Sequence, residues 1–340
     1  MSSSIPPGGD WIPAALNRGW TYTHRVAPVD AGRRVVDLLA SRYTHSTVAI
    51  WKQRLLAGEL QLNGEFLAVD QSLRPGDSLS WHRPPWREPA VPANWQVLFD
   101  DGDLLVIDKP SGLPVIAGGG FLEHTLMGLL QRRTPDAQSV TAAIPVHRLG
   151  RFTSGVMLCA RERRTRAELA AMFQRGTAGL SSGIKIYRAL ARSSSRLQAN
   201  ERVAVELPIA EHNHPLHGRI WGIGSSLAQP PGTAASTGKQ LRAFSTVQLL
   251  ERRADADLLE VTISTGRPHQ IRIHLAAMGS PLIGDPLYGV GGVISPFCTV
   301  GEGGYLLHSH RLQKLPYQGR LHDFEAVPPA PLQIRDAGSV

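Results

Sequence analysis

Cysteine is scarce in this chain: two in 340 residues, Cys159 and Cys298, far apart in sequence. Two isolated thiols exclude a disulfide framework and a cysteine-rich zinc site. They fit a reducing cytoplasm, with Cys159 an apolar filler in Val156-Met157-Leu158-Cys159-Ala160. Long apolar runs are also missing. No window approaches ~18 continuous apolar residues, so no membrane-spanning helix is expected. Residues 1–10 show no basic stretch leading into an apolar run, and no signal peptide is expected. There is no internal repeat and no low-complexity tract. Acidic residues are in deficit, with 28 Asp and Glu against 36 Lys and Arg, which leaves a net charge of +8. A basic surplus suits a polyanion partner, because Lys and Arg neutralise phosphates and release condensed counterions. The plainer alternative is a charge that serves solubility. Apolar residues make up 42% of the chain, enough for a sizeable core. The length suits about two domains of ~100–200 residues each.

Residues 1–30 begin rich in Pro, Gly and Ser, lack clear periodicity and read as a flexible arm. From Arg33 the pattern becomes regular. Val35, Val36, Leu38 and Leu39 suit a helix opened by Arg33-Arg34. Ser46 or Thr47 can cap a second helix that carries Trp51, Leu55 and Leu56 and stops at Gly58. Leu60 to Phe66 reads as strand, Asn63-Gly64 turn, strand. Arg74-Pro75-Gly76-Asp77 turns the chain into Ser78-Leu79-Ser80-Trp81. Pro84, Pro85, Pro89 and Pro92 disfavour helix and central strand, so residues 83–95 read as a linker. Beyond it, Val97-Leu98-Phe99, Leu104 to Ile107 and Leu258 to Ile263 are strand-like, and His269 to Met278 is helical in spacing. Hairpin-linked strands outnumbering helices predict an α+β domain with a mainly antiparallel sheet. Gly222 to Gly238 reads as a flexible loop, and residues 332–340 as a tail.

Residues 31–82 resemble the S4-like RNA-binding module in the order helix, helix, Asn-Gly hairpin, turn, strand. The resemblance implies that Arg33, Arg34, Lys52 and Arg54 contact structured RNA; the alternative is four solvated charges on a small α/β unit.

Residues 96–331 carry a longer string of motifs. They are Asp108-Lys109-Pro110-Ser111-Gly112-Leu113-Pro114-Val115, His147-Arg148-Leu149-Gly150-Arg151-Phe152-Thr153-Ser154-Gly155, Lys185-Ile186-Tyr187-Arg188-Ala189, and Thr265-Gly266-Arg267-Pro268-His269-Gln270-Ile271-Arg272-Ile273-His274. Gly284-Asp285-Pro286-Leu287-Tyr288-Gly289 and Leu307-His308 follow. In this order they resemble the RluA-type pseudouridine synthases. The resemblance implies the pseudouridine synthase fold and the isomerisation of uridine in RNA, ribosomal or transfer RNA, by a cytoplasmic monomer. It implies no cofactor and no metal, because the reaction needs no outside electrons. It also implies a carboxylate nucleophile, a cation paired with it, and an aromatic ring against the extruded base. Motif by motif, Tyr187 is the stacking residue, Arg267 the paired cation and Arg148 a holder of the flipped nucleotide. Gly150 stands where the family pattern has its catalytic aspartate.

Glycine cannot attack or accept anything. Either a displaced acid reaches Arg267, from Asp101, Asp103, Asp108, Glu162, Asp285 or Glu302, or the chain is a catalytically silent RNA-binding protein. Arg151, Arg161, Arg163 and Arg164 could form a phosphate track to the pocket, the alternative being a solvated helix face. His269 with His274, and His308 with His310, are weak metal candidates without a matching cysteine or carboxylate motif. Gly118-Gly119-Gly120 lacks the context of a phosphate loop.

Overall fold

A computed structural model of the protein describes residues 11–43, 45–133, 141–177, 183–224, 240–298 and 303–335. The chain divides into two compact units. One is residues 14–88 with the short segment 215–218; the other is residues 1–13, 89–214 and 219–340.

The smaller unit is built from β1 (Trp20–Arg25), α1 (Val35–Arg42), α2 (Val48–Leu56), β2 (Leu60–Leu62), β3 (Glu65–Phe66) and β4 (Ser78–Arg83). The Thr47 hydroxyl caps α2 by accepting from the Ile50 amide at 3.3 Å. Gly58 then leaves the helix at φ 74°, a left-handed conformation open to glycine at little cost. Asn63 and Gly64 both take positive φ, as a tight hairpin turn between β2 and β3 requires. The four strands pair in the order β1-β4-β2-β3. Val35, Val36, Leu38 and Leu39 from α1 and Trp51 and Leu55 from α2 close one core over Leu60, Leu79 and Trp81.

Two readings of irregular segments change. The stretch read as an arm holds strand β1 and two short ladders: Trp11–Ile12 pairs with Val91–Pro92, and Ala15–Leu16 pairs with Arg87–Glu88. Prolines are tolerated there because a two-residue ladder at a sheet edge needs few amide donors. The stretch read as a linker is therefore ordered, with Glu88 and Val91 fully buried.

The larger unit is α+β. Its ten-stranded sheet follows the order β9-β10-β11-β8-β12-β7-β6-β5 along the main path. These are β5 (Gln96–Asp100), β6 (Leu104–Lys109), β7 (Thr153–Ala160), β8 (Ile184–Arg192), β9 (Arg202–Val205), β10 (Ser245–Arg252), β11 (Ala256–Ile263) and β12 (Leu307–Tyr317). The final strand, β13 (Arg320–Glu325), pairs with β12, and Ile144–Pro145 pairs with β7. Along the main path β7 and β12 are parallel and their neighbours antiparallel. Every residue of β7 is buried, which explains its continuous apolar run. Helices α3 (Leu126–Arg133), α4 (Arg163–Thr177) and α5 (Gln270–Ala277) complete the unit. Of the loop expected over residues 222–238, Gly222 belongs to a strand, Gly218–Ile223, paired with Ile209–His214. Residues 225–239 lie outside the described residues.

Candidate active site

The motif string converges on the centre of this sheet. Gly155 takes φ 102°, and a Cβ there would run into the backbone of Ser309 on β12. Glycine thus lets the parallel pair β7–β12 close. The segment before β7 is clamped from the Lys109–Leu113 loop. Lys109, fully buried, donates from Nζ to the carbonyls of Pro110 (2.9 Å), Leu113 (2.8 Å) and Arg151 (3.2 Å). The Ser111 hydroxyl donates to the Phe152 carbonyl at 2.9 Å, and the Gly112 amide donates to the Arg151 carbonyl at 2.9 Å. Burial pushes the Lys109 ammonium down to about 7.

Beside this segment lies a cleft of about 250 Å³ whose walls include Arg148, Phe173, Lys185, Tyr187, Gly266 and Ser309. Lys185 and Tyr187 reach it together because residues two apart on a strand share a face. Tyr187 is 9% exposed, and burial pushes its phenol up to about 12, partly offset by a hydrogen bond to Ser309. The phenol is therefore a donor at neutral pH. Burial pushes Lys185 down to about 8; its Nζ lies 4.6 Å from the centre of the Phe173 ring. His147 is structural: its Nε2 accepts from the Leu158 amide at 3.1 Å, and burial pushes it down to about 3. Arg148 is exposed at the cleft. Lys185 and Phe173 were missed as site residues. Lys185 stood in the quoted K-x-Y motif and strand alternation alone could have found it, whereas nothing local in the sequence marks Phe173.

Arg267 departs from the expected role. Its Nε donates to the Arg242 carbonyl at 2.8 Å, and among the described residues no carboxylate is ion-paired with it. Partial solvent exposure and that carbonyl carry the charge in place of an acid. Three of the six suggested acids are engaged elsewhere. Asp101 accepts from the Tyr317 hydroxyl at 3.0 Å, and Asp103 accepts from the Arg161 and Glu162 amides. Asp285 holds Arg272 through two bonds of 2.7 Å. Burial raises Asp108, which lies on β6. Glu162 is exposed at the approach to α4, and Glu302 lies outside the described residues. The rest of the T-G-R-P-H-Q string is architectural. Gln270 accepts from the Thr265 hydroxyl and donates to the Phe244 carbonyl, each at 2.8 Å, and His274 bonds Ser245. His308 and His310 both bond the Ala326 carbonyl, and no metal-binding cluster occurs among the described residues.

At Gly150 the space for a side chain is filled. Its φ is not in the left-handed region, yet a Cβ built there would stand closer than 3.0 Å to the Tyr305 hydroxyl oxygen and 3.2 Å from Thr153 Oγ1. Tyr305 is 3% exposed, with the Arg272 guanidinium 4.4 Å from its ring centre.

The basic candidates separate. Arg161 is doubly bonded to Asp100 at 2.7 and 2.8 Å, and Arg164 pairs with Glu168 at 2.8 Å, while Arg163 is exposed beside them. Arg151 is half-buried, donates to the Gly112 carbonyl at 3.1 Å and covers the Phe121 ring. In the smaller unit Arg33 pairs with Asp30 and Arg34 with Asp70. Arg54 packs against both the Trp51 and Trp81 rings, 4.4 and 4.3 Å from their centres, a packing role. Lys52 is exposed.

Residues 103–277 match the family model for RNA pseudouridylate synthase. The chain is 34% identical to RNA pseudouridine synthase 5 of Arabidopsis thaliana, over 91% of this chain and 92% of that one. It is 37% identical to an uncharacterized RNA pseudouridine synthase of Synechocystis, over 86% and 91%. With the ribosomal large subunit pseudouridine synthase D of Xanthomonas campestris it shares 31% identity over 76% and 72%. The solved structure of human RNA pseudouridylate synthase domain containing 4 shares the fold, with TM-score 0.51 at 22% identity over 70% of this chain and 90% of that one. These relatives are named as synthases, which gives the silent-binder reading no support. With His147, Arg148, Lys185, Tyr187 and Gly266 from three of its motifs around one cleft, the chain belongs to the RNA pseudouridylate synthase family, in its RluA-type branch.

Proposed function

We propose that this protein isomerises a uridine of structured RNA, ribosomal or transfer RNA, to pseudouridine, with the base turned out of its stack into the cleft between Arg148 and Tyr187. The observation that carries the reading is the composition of that cleft: one buried phenol and three cations, Arg148, Lys185 and Arg311, around a volume of about 250 Å³. An extruded base needs an aromatic or apolar wall and hydrogen bonds to its edge, and its phosphates need cations. Tyr187 supplies the ring, its hydroxyl stays protonated, and Lys185 and Arg148 supply positive charge. Arg163 extends that charge along the approach to α4. Within the smaller unit, Lys52 and the exposed faces of Arg33 and Arg34 are the groups that would touch RNA.

The test is to incubate the purified protein with total RNA from cells lacking it and to map pseudouridine by carbodiimide labelling and primer extension. The reading expects at least one new stop at a uridine, lost with Tyr187→Ala. No new stop, under conditions where an aspartate-bearing relative modifies its own site, would refute it.

A further inference from the structure

Gly150 and Tyr305 form a matched pair. Nothing in the backbone calls for glycine at 150, because its φ is not in the left-handed region. What calls for it is the Tyr305 hydroxyl, which occupies the volume that any Cβ at 150 would need. The two residues are distant in sequence but are held together firmly. The Tyr305 ring packs edge-to-face on Phe152 at 5.8 Å and lies over Arg272. Arg272 in turn is fixed by Asp285 and flanked by Tyr288, 4.9 Å from its ring centre. The phenol oxygen accepts a long hydrogen bond from the Thr153 hydroxyl at 3.5 Å. Its own proton has no hydrogen-bond acceptor among the described residues. Gly150 itself is exposed, two residues from Arg148 on the cleft wall. The chain therefore presents a phenol hydroxyl, backed by a guanidinium, where a side chain at 150 would otherwise project.

We propose that Tyr305 is a catalytic residue of this enzyme, acting as general acid and then base on the target uridine, and that Gly150 exists to admit its hydroxyl. The inference rests on the pseudouridine synthase reading. In the first step the N1–C1′ bond breaks with its electron pair going to the ring. The Tyr305 proton passes to a ring carbonyl oxygen, leaving tyrosinate beside an electron-poor C1′. The uracil then turns and C5 supplies the electron pair for the new C5–C1′ bond. Tyrosinate removes the C5 proton, and tautomerisation carries the oxygen-bound proton to N1. The phenol is restored, and no oxidant, reductant or cofactor is consumed.

The chemistry supplies its own assay, because the C5 hydrogen is lost. Ribosomal and transfer RNA transcribed in vitro with 5-tritiated uridine releases tritium to water at each turnover. Three variants of the full chain are compared with wild type at steady state over a range of RNA concentrations: Tyr305→Phe, Gly150→Ala and both together. Tyr305→Phe keeps the ring on Arg272 and removes only the hydroxyl. Loss of a general acid–base group lowers kcat by about 10²–10⁴-fold, with KM for RNA within threefold of wild type. Gly150→Ala keeps the hydroxyl but displaces it, and is expected to lose a similar factor. Because the two act as a unit, the double variant is no slower than the slower single. Replacing Tyr305 by 3-fluorotyrosine, which keeps shape but is more acidic, moves the alkaline limb of the kcat profile to lower pH. That readout does not depend on a variant that packs differently.

Tyr305→Phe turning over within threefold of wild type, with melting temperature unchanged, overturns the catalytic role while leaving the synthase reading intact. So does a fluorotyrosine profile that superimposes on the wild-type one. A wild type that releases no tritium from any transcript overturns the synthase reading and the role of Tyr305 with it.

Discussion

Asp285→Ala tests the support under the site. Arg272 and Asp285 have side chains 3% and 1% exposed and share two bonds of 2.7 Å. Asp285 Oδ1 also accepts from the Leu287 and Tyr288 amides at 3.0 and 3.3 Å. Truncation leaves a guanidinium buried against two phenol rings with no counter-charge. Removing one member of a buried pair costs about 3–5 kcal/mol. A domain of this size loses about 2–4 °C per kcal/mol, so the melting temperature should fall by about 6–20 °C. The partner variant Arg272→Met should cost a comparable amount. The double variant Arg272→Met with Asp285→Leu removes both desolvation penalties and should recover more than half of the summed loss. Thermal melts followed by near-ultraviolet circular dichroism at pH 7.5 measure all four proteins. A fall below 2 °C for Asp285→Ala, or a double variant as unstable as the sum of the singles, would refute the reasoning.

Acid should destabilise the protein through its buried histidines. Burial pushes His274 and His308 down to about 4 and His147 to about 3. Unfolded histidine binds a proton below its usual value of about 6.5 while the folded form does not, so the stability present above that value is lost as pH falls. Between pH 6.5 and 5 each histidine contributes a loss of about 2 kcal/mol, read as a lower urea midpoint that His308→Gln partly flattens. Lys185 titrates near 8, so it is charged below that pH and neutral above it; RNA affinity should fall between pH 7 and 9, and filter binding should find less of that fall in Lys185→Met. Arg163→Ala should weaken RNA binding and reduce the salt slope by ~1, whereas Arg164→Ala, whose charge is already met by Glu168, should do less. Arg54→Ala should lower the melting temperature by removing a guanidinium packed against two indoles, leaving RNA affinity within twofold at constant salt.

Local chemistry made much of the fold legible. The Thr47 cap, the Gly58 stop, the Asn63-Gly64 turn and the helical spacing of α5 each depend on residues within a few positions of one another. The long motif string also carried the family. What stayed hidden was set by contacts distant in sequence. Thr153 and Tyr305 meet across 152 residues, and nothing near Tyr305 announces that its hydroxyl fills the space at Gly150. Arg161 read as a phosphate contact until Asp100, 61 residues earlier, was seen to hold it at 2.7 Å. Arg54 is the same lesson, since Trp81 reaches it only through the pairing of β2 with β4. The two short ladders in the N-terminal stretch escaped because two-residue ladders have no periodicity to read.

The central claim is that a chain with glycine at position 150 still isomerises uridine. Tritium release from 5-tritiated uridine RNA by the wild-type protein tests it most directly. The account predicts release in step with new pseudouridine at a defined site, and a blank-level rate from Tyr187→Ala. Release no greater than the blank from the wild type, on RNA that a relative converts, would contradict it.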